Sequence, residues 1–302
     1  MIVHTGKGIL DFRLSIHRLN EIRPHEEVIP ELLRDLIMDM RRTRHQRDPL
    51  IVDAKTLVAL DGMHRLAALK KLGAKYAMCA DFDYSSSTIK LERWLRYVIA
   101  PSNRFIRTLI SQLRMEQCSD IRSGISLVDS GYARIALLSS AESYVQRVEA
   151  EVRHAEKEED DDISEPLVFS TYRQVKKFDT LCSRHGLQIR FASPAERRSI
   201  FSSESTYMLY PEAVTKHDVL AAAECNQVFP FKTTRHTLPA RPMGVYFPLK
   251  ALKGNRREDC ENILERIISL SKVEISTRNQ WYEGRQYGEP LAIFRRGNQS
   301  HR

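Results

Sequence analysis

The sequence predicts an α/β protein with mixed sheets, because short apolar runs typical of strands alternate with segments whose apolar residues recur at helical spacing. Residues 57–73 give the clearest example. An apolar stretch from Thr56 to Leu60 ends at Asp61-Gly62, and leucines then recur at every third position before Gly73. This pattern predicts a strand, a tight turn and a short helix that ends at the second glycine.

Length and composition indicate a globular protein with a sizeable core. The 302 residues are 42% hydrophobic and 28% charged, and they allow one large domain or two smaller ones. The 47 Lys and Arg against 39 Asp and Glu give a net charge of +8. This charge is compatible with binding of nucleic acid, binding of nucleotide phosphates or simple solubility. The basic residues form no single stripe that would favour one of these roles.

Cysteine usage and hydropathy predict a cytoplasmic protein with no membrane partner. The cysteines are far apart and form no C-x-x-C pair, as is typical of a reducing compartment. The chain has no run of eighteen apolar residues, and Met1 to Leu10 lacks the apolar region of a signal peptide. We leave the oligomeric state open.

The first hundred residues predict strands and helices in alternation. A helix is expected where Leu32, Leu36 and Met40 recur, and a further helix is expected to carry Ile89 and Trp94 after a Ser85–Thr88 cap. The predicted strands are Arg13–Leu19, Pro49–Asp53, Thr56–Leu60 and Tyr76–Phe82.

Further helices and strands are predicted after residue 100. Expected helices run through 105–113, 141–155, 172–181, 215–224 and 256–270. A hairpin is expected to join 124–129 to 132–138, with further strands at 187–191, 206–210, 273–276 and 291–294. The acidic segment Glu156–Asp162 is expected to be an exposed loop, and Arg295–Arg302 a frayed end.

Asp61, Gly62, Met63, His64 and Arg65 are candidates for an anion site. They lie where the predicted helix begins, and a helix N-terminus offers main-chain N–H groups and partial positive charge to a phosphate. The segment is not a Walker loop, since G-x-x-x-x-G-K-[ST] is absent. The alternative to an anion site is a charged helix cap in an ordinary α/β unit, and the pattern favours neither interpretation.

Two other segments carry chemistry. Glu26 follows Pro24 in a predicted turn near a helix start, where an acid that complements the helix dipole is the simpler interpretation. Residues 232–237, Lys-Thr-Thr-Arg-His-Thr, combine hydroxyls and cations that suit carboxylate or phosphate oxygens. A surface turn is the alternative for that second segment.

Together, three segments resemble the motifs of free L-serine kinases built on the ParB/sulfiredoxin-like fold. They are Pro24-His25-Glu26, the segment Leu60-Asp61-Gly62-Met63-His64-Arg65 with its D-G-x-H-R motif, and the K-T-T-R-H-x-L-P motif at 232–239, in the same order and with similar separation. The resemblance covers roughly residues 13–250. The second motif marks only the superfamily, whereas the third is specific to the kinases.

The resemblance implies a domain organisation. It implies a ParB/sulfiredoxin-like nucleotide-binding domain over residues 1–98 and an α/β substrate-binding domain over 99–253, with a cleft between them. Residues 254–302 then form a C-terminal extension of unassigned role.

The resemblance also implies an activity, the transfer of a phosphoryl group from ADP or ATP to the hydroxyl of free L-serine, giving O-phospho-L-serine. Glu26 matches the acid that acts as base, and Asp61 the acid that orients the hydroxyl or Mg²⁺. Gly62, Met63, His64 and Arg65 match the phosphate-binding turn. The matching serine-binding residues are Trp94, Lys232, Thr233, Thr234, Arg235 and His236.

The implied chemistry is consistent with the residues. Phosphoryl transfer requires positioning and charge neutralisation, a carboxylate to accept the hydroxyl proton, and a magnesium ion that needs only one or two carboxylates beside phosphate oxygens. Asp61 is the candidate magnesium ligand. The sequence departs from the family at Met63, where some members have histidine, so a side-chain contact to the nucleotide would be lost there and a main-chain contact kept.

Three alternative functions are also considered for this sequence. A ParB-like DNA-binding regulator shares the superfamily, although no clear helix-turn-helix follows the first domain, so nucleic acid is a secondary candidate partner. A sulfiredoxin-like reductase needs a cysteine in the phosphate turn, where this chain has Met63. A kinase of the same fold acting on another small hydroxyl compound is the third.

Overall fold

A computed structural model describes residues 2–5, 8–99, 101–148, 167–201 and 205–296. The helices are α1 Pro30–Thr43, α2 Met63–Lys71, α3 Asn103–Gln112, α4 Ile121–Asp129, α5 Leu167–Arg184, α6 Arg197–Ile200, α7 Lys216–Glu224, α8 Leu249–Leu252 and α9 Arg257–Ser269, with a 3₁₀ turn at Pro194–Glu196. Within the described ranges, no helix has the length and apolar character needed to cross a membrane.

Among the described residues, strands outnumber helices. They are β1 Ile2–Thr5, β2 Gly8–Arg18, β3 His45–Gln46, β4 Leu50–Asp53, β5 Ala59–Asp61, β6 Tyr76–Phe82, β7 Lys90–Arg93, β8 Leu95–Ile99, β9 Glu116–Cys118, β10 Ala133–Leu138, β11 Ser143–Arg147, β12 Arg190–Ala192, β13 Thr206–Pro211, β14 Thr234–Thr237, β15 Arg241–Met243, β16 Phe247–Pro248, β17 Ser271–Ile275, β18 Gln280–Tyr282, β19 Arg285–Tyr287 and β20 Leu291–Arg296. The predicted α/β class with mixed sheets is confirmed.

The chain forms two compact units, and both are discontinuous in sequence. Unit 1 comprises 1–90, 219–231 and 236–302, and unit 2 comprises 91–218 and 232–235. The C-terminal extension defined from the sequence therefore lies within unit 1. The predicted domain limits of 98 and 253 differ from the limits of these units and stay a prediction.

Unit 1 is organised around a five-stranded sheet in the order β1-β2-β6-β4-β5. The central strand β6 is buried along its whole length, pairing antiparallel with β2 and parallel with β4. Because residues of a central strand are covered on both faces, its apolar sequence is continuous rather than alternating. The C-terminal part of unit 1 adds a three-stranded sheet in the order β15-β20-β17.

Unit 2 is organised around a six-stranded antiparallel sheet in the order β12-β8-β13-β10-β11-β9. Its core includes Leu95, Ala136, Leu138, Val145 and Met208. The helix α4 packs on this sheet at Gly124, where a Cβ would lie 2.7 Å from the Leu138 side chain. This glycine therefore serves close helix–strand packing rather than a turn.

Three of the predicted helices and strands were wrong. The helix expected to carry Ile89 and Trp94 is replaced by β7 and β8, where Tyr97, Val98 and Ile99 favour a strand and pair with β12 or β13. The expected hairpin strand at 124–129 is part of α4, which is capped by Asp120 through a 2.7 Å bond from the Ser123 N–H.

The third error concerns 141–155. Its described part contains β11, which pairs with β10 to form the hairpin, and the remainder from 149 lies outside the described residues. The acidic segment Glu156–Asp162 also lies outside them. Arg295 and Arg296, expected to fray, belong to β20, and the residues that follow are outside the described ranges.

Candidate active site

The turn between β5 and α2 requires glycine. Gly62 has φ +97°, and a Cβ on it would lie 2.9 Å from the Leu50 side chain and 3.1 Å from the Arg65 guanidinium. Its N–H donates to Asp61 Oδ1 at 2.8 Å. No side-chain hydrogen bond caps α2, so main-chain N–H groups of its first turn remain suited to an anion.

Asp61 is held by two arginines of unit 1. Its Oδ2 pairs with Arg241 and lies 3.7 Å from Arg65 Nη2, while its side chain stays 40% exposed. Arg241 is buried and also donates from Nε to Glu289 Oε1 at 2.6 Å. Burial lowers the pKa of Arg241, but Asp61 and Glu289 raise that pKa more strongly, so it lies above its ordinary value. Asp61 is thus fixed in orientation and remains accessible.

Arg65 is also oriented by the buried acid Asp48. Its Nη1 lies 3.6 Å from Asp48 Oδ2, and the other oxygen of Asp48 accepts the Gly244 N–H at 2.9 Å. A guanidinium between two carboxylates keeps a fixed direction, and Arg65 presents its charge at the start of α2.

Met63 and His64 have structural contacts. The Met63 side chain is buried in the core. His64 Nε2 accepts the Ile29 N–H at 2.9 Å, and Ile29 is the N-cap residue of α1. An acceptor nitrogen carries no proton, so we assign the proton of the neutral ring to Nδ1. His64 therefore links the first turn of α2 to the start of α1 through this hydrogen bond.

Glu26 lies before α1 and not in its first turn, where the acid is Glu31. A parallel bridge joins Glu26 to Phe229, with the Phe229 N–H donating to the His25 carbonyl and the Glu27 N–H to the Phe229 carbonyl, each at 2.8 Å. The Glu26 side chain is only 11% exposed. The simpler interpretation of this acid as a helix-dipole partner is therefore wrong.

His25 precedes Glu26 and lies close to its carboxylate. It is fully buried and donates from Nδ1 to the Ala59 carbonyl at 2.6 Å, since a carbonyl only accepts. Its Nε2 lies 4.0 Å from Glu26 Oε1. Burial lowers the pKa of His25, while the charges of Glu26 and Asp61 and the bond to Ala59 oppose that effect. The charges of both carboxylates therefore counteract the effect of burial on the pKa of His25.

His236 lies beside His25 in unit 1. The two rings meet edge to face with centroids 5.5 Å apart, and the Tyr84 hydroxyl is 2.8 Å from His236 Nε2. His236 and Tyr84 are both buried. The imidazole of His236 is thus held by its ring contacts and by a phenol hydroxyl.

The remaining candidate residues belong to unit 2. Lys232 places its Nζ 4.0 Å from the centroid of the Trp94 ring, and the Arg235 guanidinium carbon lies 5.6 Å from that centroid. Arg235 also pairs with Glu92, and the main-chain N–H of Trp94 donates to the Thr233 carbonyl at 3.2 Å. Two cations therefore gather at one indole.

Buried side chains and hydrogen bonds hold the segment 232–235 in place. Thr233 and Thr234 are buried, so the surface-turn alternative is wrong. The fully buried Arg96 donates from Nη1 to the Lys232 carbonyl at 3.2 Å and from Nε to Asp179 at 2.9 and 3.1 Å. The carbonyl of Lys232, which has φ +59°, is thereby fixed.

The described residues contain no cluster of three or more His, Cys, Asp or Glu side chains that could hold a metal ion. A magnesium ion bound mainly by nucleotide phosphates does not need such a cluster, and an exposed carboxylate such as Asp61 fits that donor set.

Sequence reasoning missed several residues of the site. His25 stands within a recognised motif without an assigned role, and Arg241 follows the third motif closely. Arg96 looks like an ordinary strand residue, and nothing in the sequence links Glu289 to Asp61. Only long-range pairing identifies these residues.

Comparison with known proteins gives relatives but no matching family model. The chain is 26% identical over 248 residues to an ATP-dependent L-serine kinase of Staphylothermus marinus, covering 78% of this chain and 89% of that protein. It is 24% identical over 239 residues to the ADP-dependent L-serine kinase SerK of Thermococcus kodakarensis, covering 78% and 90%.

A solved structure gives the same fold. A free serine kinase in complex with AMP matches with a TM-score of 0.63 and 21% identity, covering 83% of this chain and 96% of that one. The resemblance to free L-serine kinases is therefore confirmed, as is the fold that it implied.

Proposed function

We propose that this protein is a small-molecule kinase that transfers a phosphoryl group from ADP or ATP to the hydroxyl of free L-serine. The observation that carries the proposal is the exposed carboxylate of Asp61, which Arg241 and Arg65 hold directly before the anion-suited start of α2. Similarity to L-serine kinases over most of the chain supports the choice of reaction.

Glu26 is the proposed base. Its carboxylate accepts the proton of the serine hydroxyl as the oxygen attacks the terminal phosphorus of the nucleotide, and the bond from that phosphorus to the leaving nucleotide oxygen breaks. The products are O-phospho-L-serine and AMP or ADP. The bridge to Phe229 fixes the backbone of Glu26 for this role.

The first turn of α2 is the proposed phosphate site. Main-chain N–H groups and the Arg65 guanidinium neutralise phosphate charge. Since the Met63 side chain is buried, the nucleotide contact that we propose for this residue is through its main chain. Asp61 orients the hydroxyl or holds Mg²⁺, which when bound would neutralise phosphate charge.

Trp94 and residues 232–236 are the proposed serine-binding group. A free amino acid presents a carboxylate, and Lys232 and Arg235 are the nearby cations that can pair with it. Thr233, Thr234 and His236 add hydroxyl and imidazole groups, although their burial restricts how far they reach.

The test is incubation of the purified protein with Mg²⁺, L-serine and either ADP or ATP, followed by phosphorus NMR. The expected result is an O-phosphoserine signal with at least one donor, absent from the Glu26→Gln variant. Parallel samples with D-serine and L-threonine test whether another hydroxyl compound is preferred. No phosphorylated product with any acceptor and either donor would overturn the proposal.

A further inference from the structure

A second concave site lies entirely within unit 2. A depression of about 440 Å³ opens between the end of α3, strands β10 and β11, and α5. That volume falls within the roughly 300–1,000 Å³ typical of small-molecule sites. None of the residues assigned above to catalysis, nucleotide or serine lines it. Its cationic side chains are Arg114, Arg134, Arg147 and Lys177.

Two hydrogen bonds fix the wall at the end of α3. Lys177 Nζ donates to the Gln112 carbonyl at 2.5 Å, and Gln146 Nε2 donates to the Leu113 carbonyl at 2.8 Å. These carbonyls belong to the last turn of the helix, which needs external donors. Side chains from α5 and β11 therefore hold the wall in place before any ligand arrives.

A polar stripe of α5 forms the opposite wall. Ser170, Gln174 and Lys177 line the depression at i, i+4 and i+7 spacing, so they share one helix face. The neighbouring face, with Val175 and Phe178, is buried in the core. The helix thus anchors itself with its apolar face and presents polar groups to the depression.

The charge of the depression is one-sided. Among the described residues that line it, four are cations and none is an acid, although Glu116 pairs with Arg147 at the rim. Like charges held together repel one another, and a bound anion relieves that repulsion. Arg134 is half-buried on β10, where its charge is less screened than at the exposed rim.

We propose that this depression binds a compact polyanion, a small molecule that carries two or more phosphate or carboxylate groups. Convergence of four cations on one concavity favours a compact ligand over an extended strand. A more open neighbouring depression with Arg104 and Arg107 is lined by α3 residues alone. A nucleic acid strand would use both depressions, so the test must separate these ligands.

The test is calorimetric titration of the full chain with tripolyphosphate and, separately, with a single-stranded thymidine 20-mer. The pocket variant is Arg114→Gln/Arg147→Gln, which changes two exposed cations of the rim. The matched control is Arg122→Gln/Arg184→Gln, which removes the same charge from exposed positions of unit 2 that do not line the depression. Lys177→Gln is a second pocket variant, and thermal unfolding checks that each variant folds.

The expected result is a loss of at least about tenfold in tripolyphosphate affinity in both pocket variants and little change in the control. Equal loss in the control, or no loss in either pocket variant, would overturn the proposal. So would pocket variants that lose affinity for the 20-mer alone. Because these readouts measure binding, they remain decisive even if no kinase activity is found.

Discussion

The guanidinium of Arg241 pairs with the carboxylate of Asp61, although 180 positions separate them in the sequence. The opposite side of this guanidinium is held by Glu289, which is itself buried. A residue of the C-terminal segment therefore determines how Arg241 meets Asp61. This arrangement gives Glu289 a structural part in the candidate active site.

Glu289→Gln is expected to lower both stability and activity. Removing one partner of a buried ion pair typically costs about 3–5 kcal/mol, and Asp61 offsets part of that loss here, so we expect roughly 2–4 kcal/mol in urea unfolding. A loosened Arg241 lets Asp61 shift, and a 1 Å misplacement can cost on the order of 10²-fold in rate.

The matched control is Glu274→Gln, which breaks the exposed Arg295 pair of the same C-terminal sheet. Exposed pairs contribute about 0–1 kcal/mol, so stability and turnover should stay near those of the wild type. Equal effects of the two substitutions would contradict a specific role for Glu289.

The local parts of the site could be predicted from the sequence. The strand, turn and helix around Asp61-Gly62 follow from neighbouring residues, since only glycine accepts φ +97° beside Leu50 and the helix spacing is visible in the leucines. Tyr76–Phe82 is likewise a strand with the predicted limits.

The long-range parts could not be predicted in this way. The helical spacing of Ile89 and Trp94 predicts a helix there, yet pairing of the adjacent β8 with β13 decides the conformation. The Arg241–Glu289 pair spans 48 positions, and no local pattern encodes it. The buried Arg96 beneath Lys232 depends in the same way on the tertiary fold of unit 2.

Glu26→Gln and Asp61→Asn are each expected to abolish most turnover while the fold is retained. Loss of a proton-transfer partner typically costs about 10²–10⁴-fold in rate, and each substitution keeps the side-chain shape. The measurement is the rate of O-phosphoserine formation, with circular dichroism to check folding. Glu27→Gln is the neighbouring control and should stay active. Near-normal turnover in either acid variant would remove the role assigned to that residue.

Gly62→Ala is expected to destabilise the protein more than Gly73→Ala. Both positions have positive φ, so both substitutions carry a backbone cost of about 1 kcal/mol. A Cβ at Gly73 meets nothing within 4 Å, whereas at Gly62 it meets Leu50 at 2.9 Å, which adds a steric cost of roughly 1–3 kcal/mol. Urea unfolding of the two variants measures the difference, and similar stabilities would show that the turn relaxes around the added methyl group.

Stability is expected to fall as the pH drops below about 6.5, because burial lowers the pKa of His25 from its ordinary value of 6.5. Between the folded and unfolded pKa values the unfolded chain binds the additional proton, so the free energy of unfolding decreases with falling pH by at most about 1.4 kcal/mol per pH unit. Glu26 and Asp61 oppose the shift and limit the width of this window. Unfolding from pH 7.5 to 5.5 should show the decrease in the wild type and in the exposed control His185→Gln. The His25→Asn variant should show a flatter profile, and an unchanged slope in that variant would assign the pH dependence to another group.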